Sequence, residues 1–388
     1  MLLINPAAEK FGGYLARYVP VGIPVSIGCL AAYMEKQGIE CRVLDEEIVD
    51  ITPEVLRQRL TGLPEPYLIG ITCLTAHATR AYEVAAMAKS EFPSCKIVIG
   101  GLHPTALPDE ALETGFIDYV VRGEGEEVLH QLYKAHFGNG VTTEIRGISY
   151  FKNGEIVHNP DAPLIPDLNT IPMFPYHLFN HPKYDMGFLI TSRGCPYRCS
   201  YCSQRLLTGM TYRYKSAEQI CDELEILADQ YGQNAVMFYD DNFCLKAKRV
   251  LDLCDLIIER GLHKKVELSV QTRADNFVFH GGDKVAGRMV DAGFKQIGFG
   301  LETGVQRLAD LVMKDETVQI HLDATALARK HGMDVSLFMI FGLPTETADD
   351  RKTSYDVVSS QNVLATKFNN LIPYPGTPLF NDLVNPLW

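Results

Sequence analysis

The chain has 388 residues, 46% hydrophobic and 22% charged, which suits a globular protein of two or three domains with ample core. Its 48 acidic residues outnumber 36 basic ones for a net charge of −12, which argues against a broad basic surface for nucleic acid. Ten irregularly spaced cysteines do not make a secreted disulfide framework, and the N-terminus lacks the charged start of a signal peptide. The longest apolar run, Val21 to Met34, is too short to span a membrane and contains Pro24. These features imply a reducing, cytoplasmic setting.

Residues 1–140 alternate strand and helix. Strands are expected at Leu2–Asn5, Cys41–Leu44, Tyr67–Thr72, Lys96–Ile99 and Ile117–Val121. Helices are expected at Ile23–Lys36, ended by Gly38, and at about Pro53–Leu60, Ala76–Glu91 and Glu126–Phe137. Five strands with helical crossovers predict an α/β doubly wound parallel sheet, a Rossmann-like domain. Ligands of such sheets bind outside the carboxyl ends of the strands. The runs expected to be non-helical there are Asn5–Tyr14, Thr72-Cys73-Leu74-Thr75, Gly100-Gly101-Leu102-His103-Pro104 and Arg122-Gly123-Glu124-Gly125-Glu126.

Residues 141–185 change character. Gly147–Phe151 and Ile156–His158 flank the hairpin signal Asn153-Gly154, and prolines follow at 160, 163, 166, 172, 175 and 182. This segment is expected to be a linker. From residue 186 the alternation resumes, with strands at Phe188–Ser192, Ala235–Tyr239, Val266–Thr272, Gln296–Gly300, Val335–Phe341 and Ala365–Ile372. Helices are expected at Ser216–Tyr231, Lys246–Arg260, Asp283–Ala292, Val305–Val312, Thr317–Lys330 and Thr347–Asn362. Six βα repeats predict a partial (β/α)6 barrel over residues 186–388.

The first strand of that barrel runs into Thr-Ser-Arg-Gly-Cys195-Pro-Tyr-Arg-Cys199-Ser-Tyr-Cys202. A C-x3-C-x2-C loop gathers three thiolates, enough to hold three irons of a cubane [4Fe–4S] cluster and leave the fourth open. A structural zinc site would show a second Cys or His pair at suitable spacing, and none is present. Strand ends of a βα barrel face one mouth, so Asp240-Asp241-Asn242, Arg273, Glu302 and Ile340-Phe341-Gly342 are expected on the rim with the cysteines. Carboxylates and an arginine suit a zwitterionic, hydroxyl-rich ligand. Cys221, Cys244 and Cys254 fall on or beside helices and are read as core.

With these residues the chain resembles the radical S-adenosylmethionine superfamily. The resemblance rests on Cys195-x3-Cys199-x2-Cys202 with the aromatic Tyr201 before the last cysteine. It implies that the open iron chelates S-adenosylmethionine, whose one-electron cleavage gives a 5′-deoxyadenosyl radical. It further implies that backbone near Tyr201 meets adenine, Glu302 binds ribose, and Ile340-x-Gly342 borders adenine. The usual Gly-Gly-Glu is absent, and Asp240 or Asp241 is expected to meet the methionine amino group. Arg273 is assigned to the same ligand.

The whole chain is similar to the cobalamin-dependent branch of that superfamily, in which a B12-binding domain precedes the barrel. Thr72-Cys73-Leu74 matches its Ser/Thr-x-Leu, Gly100-Gly101 its paired glycine, and Gly123-Glu124-Gly125-Glu126 is typical of it. The loop Asn5-Pro6-Ala7-Ala8-Glu9-Lys10 holds no histidine to ligate cobalt from below. His103 and His77 are expected near the pocket. The resemblance implies an oxygen-sensitive methyltransferase acting on an unactivated carbon, with a [4Fe–4S] cluster, S-adenosylmethionine and cobalamin as cofactors. Its reductant would be of the flavodoxin or ferredoxin kind, and its substrate a natural-product intermediate, lipid, tetrapyrrole or peptide. A cyclase or ring-rearranging enzyme of the same two domains is the alternative, and a cluster or tetrapyrrole carrier without turnover is a third reading.

Overall fold

The computed structural model describes residues 1–7, 21–138, 141–279 and 281–384. The chain forms two units: Met1–Pro166 with Thr170–Asp185 and Ser203–Gly209, and Asp167–Asn169 with Met186–Cys202 and Met210–Trp388.

In the first unit, five strands pair in parallel: Leu2–Asn5, Arg42–Asp45, Leu68–Thr72, Lys96–Gly100 and Tyr119–Val121. Their spatial order is second, first, third, fourth, fifth. The order reverses between the first and third strands, and that reversal opens a ligand crevice at their carboxyl ends. Apolar runs buried on both faces explain the parallel pairing: Leu2, Ile4, Ile69, Ile71, Ile97 and Ile99 all lie in one core with Ala81, Val84, Ala85 and Ala88 of helix Ala78–Glu91.

The hairpin expected in the linker joins this sheet. Ile148–Lys152 pairs antiparallel with Tyr119–Val121, and Glu155–His158 continues the edge. Asn153 and Gly154 both have positive φ, 54° and 86°, as a tight two-residue turn requires. The sheet edge at Tyr119–Val121 offers unpaired backbone groups, and the hairpin covers them. A second correction concerns Leu102-His103-Pro104, expected to be irregular. Leu102–Ala106 and Pro108–Glu113 are short helices. Proline is tolerated in a first helical turn, so Pro104 and Pro108 did not break them.

In the second unit, six strands pair in parallel in chain order: Phe188–Leu189, Ala235–Phe238, Glu267–Thr272, Phe294–Glu302, Asp334–Phe341 and Ala365–Asn370. Phe238, Phe243 and Phe294 pack with centroids 5.5–5.7 Å apart at its centre. The first strand is shorter than expected. Ser192–Arg193 leaves it to pair antiparallel with Arg213–Tyr214. Helix starts follow their caps: Thr52, Ser216 and Thr347 each accept from the third residue onward, at 3.3, 3.2 and 3.2 Å. Helix Ala274–Phe279, just past Arg273, was not expected. Among the described residues no helix is long and apolar enough to cross a membrane.

Candidate cluster and cofactor sites

The cysteine loop is held from beneath by the two aspartates. Leu189 and Phe238 are register partners, so the residues just past each strand meet. Asp240 is buried and accepts from the Thr191 and Ser192 amides at 2.7 and 3.0 Å. It also accepts from both of their hydroxyls and faces Arg249 at 3.4 Å. Asp241 accepts from the Gly194 amide, one residue before Cys195, at 2.9 Å. Both Asp240 oxygens are thus taken up inside the protein, and this residue shapes the loop instead of presenting a carboxylate to a ligand.

Cys195, Cys199 and Cys202 are half-buried cysteines outside any disulfide, on a loop without regular structure. Burial pushes the Cys195 thiol up, opposed by the Tyr197 amide and Arg273. Asn242 and Asn276 grip the loop's far side. Asn242 accepts from Thr272 Oγ1 at 2.8 Å and donates to Asn276 at 2.7 Å, and Asn276 donates to the Tyr197 hydroxyl at 2.5 Å. Among the described residues no three His, Cys, Asp or Glu side chains converge on a single-ion site. Three soft thiol donors beside a guanidinium suit an anionic iron–sulfur core, whose irons each take one thiolate.

Tyr201, Glu302 and Ile340 are brought together as expected. Tyr201 donates to Glu302 Oε1 at 3.0 Å, and Tyr201 and Ile340 pack on Leu308, Val312 and Leu343. Glu302 ends its strand with φ of 64°, where the register with Asp334–Phe341 shifts between Gly300 and Glu302. A non-glycine residue held in the left-handed region marks stored strain at the strand end. Lys314, which no local pattern singled out, is buried and meets Glu302 Oε1 at 3.2 Å and Glu316 Oε2 at 3.4 Å. Burial alone would lower its pKa, but the two carboxylates more than reverse this. Glu302 Oε1 therefore has two partners, Tyr201 and Lys314. Gly342 has φ of 86° and donates its amide to Glu346 at 2.6 Å, so its turn alone calls for glycine.

Arg273 does not present its guanidinium to a ligand. Nε and Nη2 donate to the two oxygens of Asp275 at 3.1 and 2.9 Å. Nη2 also reaches the Asp315 carbonyl at 3.3 Å, and Nη1 the Lys314 carbonyl at 2.9 Å. The last donor, on Nη1, reaches Cys199 Sγ at 3.9 Å, and Glu316 Oε2 lies 3.6 Å from the same nitrogen. All five donors of the fork are accounted for.

In the first unit, Thr72 pairs with Gly100, and Gly100 with Val121, along the carboxyl edge. A Cβ on Gly100 would only touch Val121 at 3.5 Å, and one on Gly123 would meet nothing within 4 Å. Among the described residues, no side chain from elsewhere in the sheet crowds these two positions. Leu74 beyond them is 43% exposed. Gly101 has a different reason: its Cβ would lie 2.6 Å from the Cys73 carbonyl. Cys73 is buried, with its amide on Gly100 O at 2.8 Å, and burial pushes its thiol up to about 12. His103 has both ring nitrogens engaged, by Thr75 at 3.4 Å and Glu110 at 3.0 Å. Glu124 accepts from the Ile165 amide at 2.7 Å. His77 is half-buried, and its Nδ1 has no partner. Two half-buried glycines and the exposed, apolar Leu74 suit contact with a large flat ligand, while Gly101, His103 and Glu124 are engaged within the protein. Of the loop expected to lack a cobalt-ligating histidine, residues 8–10 lie outside the described residues.

Comparison with known proteins agrees with this division. Residues 189–358 match the Radical SAM superfamily, and residues 13–133 match the B12 binding domain. The chain is 32% identical over 387 residues to the uncharacterized methyltransferase PH0819 of Pyrococcus horikoshii, covering 98% of this chain and 82% of that one. It is 27% identical to the anaerobic magnesium-protoporphyrin IX monomethyl ester cyclase of Cereibacter sphaeroides, covering 99% of this chain and 63% of the cyclase. Its fold matches the radical S-adenosylmethionine methyltransferase TsrM from Kitasatospora setae, solved with cobalamin and a [4Fe-4S] cluster bound. That match has a TM-score of 0.82 at 21% identity, over 97% of this chain and 76% of that one. The chain belongs to the radical S-adenosylmethionine enzymes that carry a B12-binding domain.

Proposed function

We propose that the chain is a cobalamin-dependent methyltransferase that acts on an unactivated carbon. When bound, the cluster supplies the electron that cleaves S-adenosylmethionine and cobalamin supplies methyl-carrier chemistry. Cys195, Cys199 and Cys202 hold the cluster. Glu302 Oε2 accepts from the ribose hydroxyls, while Tyr201 and Lys314 fix the carboxylate through Oε1. Ile340 and Gly342 border the adenine, with backbone near Tyr201. Asp241 remains the acid for the methionine amino group, since Asp240 is taken up by Thr191 and Ser192. Thr72, Leu74, Gly100 and Gly123 form the cobalamin surface, and Cys73, Gly101, His103 and Glu124 support it.

The observation that carries the reading is the hydrogen bond from Tyr201 to Glu302, which ties the cysteine loop to the strand end that carries the ribose acid. A low-potential donor of the flavodoxin or ferredoxin kind, a cytoplasmic location, and a small-molecule, lipid, tetrapyrrole or peptide substrate complete the proposal. The similarity to a cyclase over 99% of this chain favours one second reading, ring closure on a tetrapyrrole without methyl transfer.

The test is mass spectrometry on anaerobically reconstituted protein given S-adenosylmethionine, cobalamin and dithionite. 5′-Deoxyadenosine together with methylcobalamin and S-adenosylhomocysteine supports the methyltransferase. 5′-Deoxyadenosine without methylcobalamin favours the cyclase. A cluster-loaded protein that makes neither product is a carrier, and both readings fail. Cys199→Ala is expected to abolish 5′-deoxyadenosine formation.

A further inference from the structure

Arg273 is a buried cation whose contacts lead to a cysteine of the loop and to groups of the protein itself. Its Cζ lies 3.5 Å from the Tyr197 ring centroid, so the guanidinium stacks on the loop between Cys195 and Cys199. Asp275 clamps two sides of the fork, and the carbonyls of Lys314 and Asp315 hold two further donors. Asp275 is itself fixed by its amide, which donates to Glu316 at 3.0 Å. What remains is one N–H on Nη1, which reaches Cys199 Sγ at 3.9 Å with Glu316 Oε2 3.6 Å from the same nitrogen.

We propose that Arg273 is a positioning residue that sets the reduction potential of the cluster through Cys199. A hydrogen bond to a thiolate sulfur stabilises the more negative, reduced cluster, and so raises its potential. The guanidinium's own charge is balanced by Asp275 and Glu316, so the directed N–H is the lever. This rests on the three cysteines being the cluster ligands.

The experiment uses the full chain, reconstituted anaerobically. Iron and sulfide content of the wild type tests the ligand reading by itself. A dithionite titration followed by EPR then gives the midpoint potential of wild type, Arg273→Gln and Arg273→Lys. The expected result is full iron content in Arg273→Lys, with a midpoint below wild type and an altered EPR line shape, and a larger drop in Arg273→Gln. Lysine keeps a buried cation and so guards against simple misfolding. It cannot reproduce the five-donor fork, so Arg273→Lys decides the matter even where Arg273→Gln does not hold iron. Full iron content with wild-type potential and line shape in Arg273→Lys overturns the proposal. A wild type that holds no cluster overturns the ligand reading instead.

Discussion

Substituting the two adjacent glycines separately distinguishes a backbone requirement from a ligand surface. Gly101 has φ of 111° and ψ of −172°, a conformation open to essentially glycine alone. An alanine there has about 1–3 kcal/mol of backbone strain. Its Cβ would also lie 2.6 Å from the Cys73 carbonyl and 3.1 Å from its nitrogen. Those are backbone atoms of a buried residue, tied by the Cys73 amide to Gly100, and no side-chain rotation relieves them. Overpacking of this kind costs about 1–3 kcal/mol more. The whole penalty is about 2–6 kcal/mol, a large part of the 5–15 kcal/mol typical of a folded protein. Gly100 has no such conflict, and Gly100→Ala should change stability by about 1 kcal/mol or less. Melting of the apo-protein, followed by circular dichroism, should fall by about 5–15 °C for Gly101→Ala and stay near wild type for Gly100→Ala. Cobalamin affinity, read by its visible spectrum in equilibrium dialysis, should fall for Gly100→Ala in a protein of normal stability. Equal stability of Gly101→Ala and wild type would refute the steric argument. Undiminished cobalamin binding by Gly100→Ala would refute the assignment of that edge.

Three further outcomes are expected. Asp240→Asn should lower both melting temperature and iron content, because it leaves Arg249 buried without its carboxylate, a change worth about 3–5 kcal/mol. A stable, iron-replete variant with only weakened S-adenosylmethionine binding would return Asp240 to the ligand. Glu302→Gln should keep its iron but bind S-adenosylmethionine about 10- to 100-fold more weakly by equilibrium dialysis, the scale of one charge-assisted hydrogen bond. Unchanged affinity would remove Glu302 from the site. His321 is buried with neither ring nitrogen hydrogen-bonded among the described residues, and burial, with Lys314 and Arg273 nearby, pulls its pKa down to about 3, although Glu316 Oε2 lies 3.6 Å from Nε2. Between pH 6.5 and 3 the unfolded chain therefore binds a proton that the folded one refuses, so stability falls with acid by up to about 1.4 kcal/mol per pH unit. His321→Leu should flatten that slope in urea unfolding of the apo-protein between pH 6.5 and 5, and an unaltered slope would place the lost proton elsewhere.

Much of the molecule was determined by sequence alone. Alternating apolar runs set the parallel strands, since strands buried on both faces must be apolar throughout. Thr52, Ser216 and Thr347 set helix starts through bonds to their own third residues. Cys195, Cys199 and Cys202 singled out the candidate cluster loop because three thiols spaced this closely can share one inorganic core. All of these are local signals of period, spacing or donor type. What only the tertiary structure decided is which partner each polar group meets. Asp240 and Arg273 looked like ligand contacts and instead found Thr191, Ser192, Asp275 and a cysteine sulfur. Lys314 carried no local signal, yet lies under Glu302. The hairpin at Asn153-Gly154 announced its turn but not the sheet edge it covers. Gly100 and Gly101 look alike in the chain, and only the position of the Cys73 carbonyl separates them. Charge and hydrogen-bonding capacity are properties of a residue. Whether they are available to a ligand depends on what the fold has already placed within 3 to 4 Å of them, roughly the reach of one hydrogen bond or ion pair.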